Sequence, residues 1–137
     1  DALLQGPLGH QPELRLSAAQ ARLDSGEAAG ALSLVQSLRA EEPDFRPEEA
    51  CLLLARTLLA TGRTHEARIE FAQAAERFGT VASRAAYAMF AAASGDRATA
   101  QALREQLERD SRHWNRHARD INAPLLRQID EALAARG

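Results

Sequence analysis

Three glycines, Gly26, Gly62 and Gly95, stand 36 and 33 residues apart, each inside the same local pattern. An alanine lies seven residues before each one (Ala19, Ala55, Ala88) and another five residues after it (Ala31, Ala67, Ala100). Twelve residues past each glycine the side chain is apolar: Leu38, Ala74 or Leu107. Glycine closes a helix in the left-handed conformation without a Cβ penalty. Each pattern therefore predicts a helix, a tight turn and a second helix packed on the first through small side chains. One helical hairpin cannot bury its apolar face alone, and a stack of equivalent hairpins removes that problem.

The stretch Glu48–Phe78 is the clearest unit. Leu54, Ala55 and Leu58 before the turn, and Ala67, Phe71, Ala74 and Phe78 after it, recur at helical spacing. Thr64 is expected as an N-cap, with Glu66 in the first turn where the helix dipole favours a negative charge. Residues 1–11 read as an irregular lead-in carrying Leu3, Leu4 and Leu8. Residues 12–120 read as three hairpins: helices from Pro12 to Gly26 and Glu27 to Glu41, the pair in 48–78, and a pair over 81–110 that starts at the cap Thr80. Pro43 and Pro47 close the first connection. The polar residues 111–120 extend the sixth helix or form a short one. Asn122-Ala123-Pro124 signals the start of a last helix in 121–137, amphipathic through Leu125, Leu126, Ile129 and Leu133.

Composition agrees with helices. Alanine is abundant and Phe, Trp and Tyr together reach only 4%, which suits close helix packing and lacks the β-branched runs of a sheet. The 137 residues are expected to form one compact domain. All 17 basic residues are arginine, and the formal net charge of −2 gives no global field to attract nucleic acid or a membrane. Cys51 is alone, so no intrachain disulfide forms. No apolar run approaches the ~18 residues of a membrane span. The expected location is the cytoplasm, or the soluble part of a membrane-anchored protein.

A helix–turn–helix period near 34 residues with small side chains at these offsets resembles the tetratricopeptide repeat family. The resemblance covers about residues 12–110, with the last helix in the place of the family's C-terminal cap. It implies an all-α, right-handed superhelical solenoid of three hairpins plus a capping helix. Where the family carries a large aromatic in the first helix, this chain has Arg15, Cys51 and Arg84; at its second aromatic position stand Arg22, Leu58 and Ala91. The resemblance further implies a groove lined by the first helix of each pair, here Glu13, Leu16, Gln20 and Leu23, then Glu49, Leu52, Leu53, Arg56 and Leu59, then Ala82, Ala85, Met89 and Ala92. The lysines and asparagines with which some members clamp a terminal carboxylate are missing. The expected occupant is an apolar peptide or helix of a protein partner, seated on Leu16, Leu23, Leu52, Leu59 and Met89, with Gln20 and Glu49 beside them and Arg56 fixing its orientation.

No constellation for catalysis is present: no phosphate loop, no paired cysteines and no nucleophile elbow. Neither an enzyme activity nor a cofactor is expected. Glu66, Glu70, Glu76, Glu105 and Glu108 read as solvated helix faces. His113, His117 and Asp120 would share a face if their segment were one helix, but Arg112, Arg116 and Arg119 would repel a metal there, so no metal is expected. The strip Arg109 to Arg119, with Trp114, is a candidate for anionic contact; the plainer reading has Trp114 packed and the arginines in water. A homo-oligomer, or an arm of a membrane-linked assembly with its groove filled internally or by a second subunit, is the alternative to a groove that takes a partner. Nucleic acid is the weakest of the partner classes.

Overall fold

The computed structural model describes residues 11–135, which form seven helices and no strand. They are α1 (Pro12–Asp24), α2 (Ala28–Glu41), α3 (Pro47–Ala60), α4 (Thr64–Phe78), α5 (Val81–Ala93), α6 (Arg97–Ser111) and α7 (Arg116–Ala135). The lead-in leucines Leu3, Leu4 and Leu8 lie outside the described residues. The chain divides into two compact units, Asp1–Glu70 and Phe71–Gly137, where one was expected. The boundary falls inside α4, as a linear repeat allows, because each hairpin needs only its neighbours.

The three turns are copies of one another. Gly26, Gly62 and Gly95 all have positive φ, at 86°, 83° and 90°. In each, the glycine N–H bonds the carbonyl three residues back and the following N–H bonds the carbonyl five residues before itself: Glu27 to Arg22, Arg63 to Leu58 and Asp96 to Ala91, at 2.7, 2.9 and 2.8 Å. This is the double closure that satisfies the last carbonyls of a helix. A hydroxyl stands just before every turn glycine, and each donates to a carbonyl of the helix it follows: Ser25 to Ala21 at 2.9 Å, Thr61 to Leu58 at 2.9 Å and Ser94 to Ala91 at 3.2 Å. The sequence carries this signal as Ser-Gly, Thr-Gly and Ser-Gly, and at Arg22 (3.3 Å from Ser25), Leu58 and Ala91 it adds a side-chain partner to a carbonyl the turn also closes.

Every small or apolar position set by the turn glycines is sealed. Ala19, Ala31, Leu38, Ala55, Ala67, Ala74, Ala88, Ala100 and Leu107 all have 0% exposure. In the first unit α1 packs on α2, and α3 contacts both. In the second, Phe71 of α4 stacks on Phe90 of α5 with ring centroids 4.9 Å apart, and α5 packs on α6.

Helix α7 caps the second unit. Ile129, at 0% exposure, joins Ala85, Ala88 and Leu107 in one cluster, with Leu125, Leu126 and Leu133 packed around it. Arg97 donates to the Leu133 carbonyl at 2.6 Å, giving an acceptor in the last turn of α7 a side-chain partner. Arg104 holds Asp130 with both Nε and Nη2, at 2.8 and 3.2 Å, and Glu108 with Nη1. The hydrogen bond to Asp130, opposed by partial burial, holds the Arg104 guanidinium pKa above its ordinary value.

Two helix starts differ from expectation. Thr64 is the first residue of α4 rather than its cap, since the Ala67 N–H already bonds the Arg63 carbonyl. Helix α7 begins at Arg116, ahead of Asn122-Ala123-Pro124, because the Asn115 side chain accepts from the Ala118 N–H at 2.8 Å and caps it there. Pro124 then lies inside the helix and exposed, so water can reach the carbonyl its missing N–H leaves open. Thr80 does cap α5, in a reciprocal box with Ser83 at 3.0 and 3.1 Å.

Two substitutions follow from these contacts. Gly62→Ala has open space for its Cβ but strains the left-handed backbone, so urea unfolding should show a loss of about 1 kcal/mol. Ile129→Ala empties the cap interface and should cost about 2–5 kcal/mol in the same measurement.

Candidate functional site

Spacing of three and four residues places Leu16, Gln20 and Leu23 on one face of α1, and Glu49, Leu52, Arg56 and Leu59 on one face of α3. The two helices are in contact. Their shared face is not bare along its length. Leu16 and Leu52 are 8% and 6% exposed and belong to the core, as do Leu53, Ala85 and Ala92. Leu23 is half-buried, while Gln20, Glu49, Arg56 and Leu59 are exposed. The accessible apolar surface therefore gathers at Leu59, which is 42% exposed, and Leu23, near the C-terminal ends of α3 and α1. Met89 lies on α5 in the second unit, half-buried against Ala85, Ala88, Leu107 and Ile129.

The polar groups on this face differ in how far they are committed. Gln20 donates to Asp24 at 2.9 Å, and Glu49 faces Arg46 loosely at 3.9 Å. Arg56 is exposed on the face and enters no ion pair among the described residues. Its guanidinium is the group with hydrogen-bonding capacity to spare. Ile69, the other large exposed apolar residue of the first unit among the described residues, lies elsewhere, in a shallow crevice with Leu54 and Leu58 rimmed by Glu66 and Glu70.

The positions where the resemblance lacks aromatics hold polar contacts instead. Arg15 is 6% exposed and pairs with Glu41. Arg84 pairs with Asp110 at 2.6 Å. Both acids lie fifteen residues past their turn glycine, so one interaction is repeated in two hairpins. In the hairpin between them Cys51 approaches Glu70 Oε2 at 3.3 Å, and Arg39 of α2 reaches the same oxygen at 3.2 Å. The Glu70 side chain is 17% exposed. It bridges three helices and is no solvated face residue. The Arg22 side chain fills the space that Gly30 leaves on α2, since a Cβ there would come within 2.9 Å of its guanidinium Nη1.

His113 sits in the turn between α6 and α7, whereas His117 and Asp120 are on α7. The break at residues 112–115 removes the shared helical face that the spacing suggested. Among the described residues no group of three His, Cys, Asp or Glu side chains gathers as a metal site. Arg112, Arg116 and Arg119 are all exposed, and Trp114 is half-buried. Among the same residues no helix is long and apolar enough to cross a membrane.

In comparison with known families, a family model described as a tetratricopeptide repeat matches residues 22–93. Neither the curated proteins nor the solved structures compared with the chain yield a match.

The Cys51 thiol is in no disulfide, 4% exposed and directed at Glu70. Iodoacetamide should leave it unlabelled in the native protein and label it fully in denaturing urea, read by intact mass. Rapid native labelling would contradict this burial.

Proposed function

Since the chain belongs to the tetratricopeptide repeat family, whose model covers more than half of it, we propose that it is a non-catalytic interaction module receiving an apolar peptide or helix on the face shared by α1 and α3. Repeats of this family generally mediate protein–protein interaction and are typically non-catalytic. The observation that supports the position is Leu59. Helix α3 has five leucines; Leu52, Leu53, Leu54 and Leu58 are at most 6% exposed, and Leu59 is 42% exposed. Covering it removes apolar area from water at about 25 cal/mol per Å².

Arg56, one turn before Leu59 and in no ion pair among the described residues, supplies direction. A partner carboxylate set one helical turn from an apolar anchor would meet Arg56 as the anchor covers Leu59, through a charge-assisted bond. Leu23 on α1 extends the apolar contact, and Gln20 and Glu49 border it. Leu16 and Leu52 lie beneath this surface and act through packing, so replacing them would test the fold and not the binding.

A displayed library of helical peptides, selected on the purified chain, tests the reading. Selected sequences should combine apolar residues at helical spacing with an acid. Leu59→Glu should weaken their binding at least tenfold, about 1.4 kcal/mol, with the melting temperature held. Arg56→Glu should weaken the acid-bearing peptides selectively. Ligands that bind both variants as they bind the parent chain would overturn the assignment.

A further inference from the structure

A second surface stands out in the second unit, where α6 ends and α7 begins. Arg109, Arg112, Arg116 and Arg119 fall within eleven consecutive residues, and all four side chains are exposed. The acids that dilute this charge in the sequence are largely engaged elsewhere. Asp110 is held by Arg84 at 2.6 Å. Glu108 and Asp130 are held by Arg104 at 2.9 and 2.8 Å. None of the four arginines enters an ion pair among the described residues. The first turn of α7 contains no acid, although two of the arginines stand there, where the helix dipole disfavours a cation. Four guanidiniums thus gather across the α6–α7 turn with Asp110 and Glu108 drawn to other arginines, and exposed His113 and His117 lie among them.

We infer that the α6–α7 turn is a docking site for a short acidic segment of a partner protein, bound by Arg109, Arg112, Arg116 and Arg119. Guanidinium forks match carboxylates in paired hydrogen bonds. The extent of the surface favours a ligand as short as itself. Glu105 on one side and Asp120 on the other are exposed and border the strip, so a longer phosphate backbone would run onto like charge. A bilayer would call for apolar insertion as well as charge, yet Leu125, Leu126, Ile129 and Leu133 of α7 are spent on the α5–α6 core. Ile121, 58% exposed, is the one large apolar side chain α7 leaves outward among the described residues. The site is separate from the α1–α3 face and stands whether or not that face takes a peptide.

Fluorescein-labelled decaglutamate, followed by anisotropy at low and moderate salt, tests the inference on the intact chain. Binding should weaken as salt rises. The variant Arg112→Gln/Arg116→Gln/Arg119→Gln should weaken it about tenfold or more, since each exposed pair is individually modest. Arg127→Gln, an exposed α7 arginine outside the strip, and Arg56→Gln on the α1–α3 face should each change it less than twofold. Circular dichroism should be unchanged in all three. Equal losses from Arg127→Gln would mean diffuse attraction and overturn the site, as would unaltered binding by the triple variant. Tighter binding of phosphatidylserine vesicles or of single-stranded DNA than of decaglutamate, lost in the triple variant, would overturn the acidic-peptide assignment in favour of that ligand.

Discussion

Alanine methyl groups with no surface left to solvent set the distance between the paired helices of this chain. Ala19 and Ala31, Ala55 and Ala67, and Ala88 and Ala100 flank the three turn glycines at identical offsets, and all six are fully buried. Larger side chains at these points would force the helices apart, since packed interiors do not absorb added volume cheaply. The glycine turn and its preceding hydroxyl then fix where the second helix starts. Close approach in each pair leaves the outer rows of side chains to do everything else.

One consequence is the treatment of the positions that would otherwise carry bulky aromatics. With only 4% aromatic residues, the chain fills two of them with arginines whose stems pack and whose guanidiniums meet an acid on the paired helix. Arg15–Glu41 and Arg84–Asp110 repeat the same geometry. A removed partner would strand a nearly buried guanidinium, so these pairs lock the second helix in place more than they add net stability. The Arg39–Glu70–Cys51 contacts perform the equivalent task in the middle hairpin.

Pairing of this kind also sorts the surface. Acids consumed inside the hairpins cannot neutralise exposed arginines, so among the described residues Arg56 on α3 and the arginines of the α6–α7 turn enter no ion pair. The apolar surface is sorted in the same way. Four of the five α3 leucines enter the core and Leu59 remains, while α7 spends its apolar face on α5 and α6 and leaves Ile121.

The spacing of Gly26, Gly62 and Gly95 and the alanines around them determined the class of fold, the number of hairpins and the family, because helix period and turn chemistry are local properties of the chain. The same locality made the Thr80 cap legible. The start of α7 was not, since Asn115 and Asn122 both offer a cap and the chain uses the earlier one. Groove offsets named Leu16 and Leu52 together with Leu59, and a repeat position alone does not tell a buried leucine from an accessible one. That distinction, the partner of each arginine and the bridging of Glu70 depend on side chains brought together from different helices, over 19 to 31 residues of chain in the case of Glu70. Only the tertiary structure decided them, because burial and ion pairing are settled by which surfaces meet.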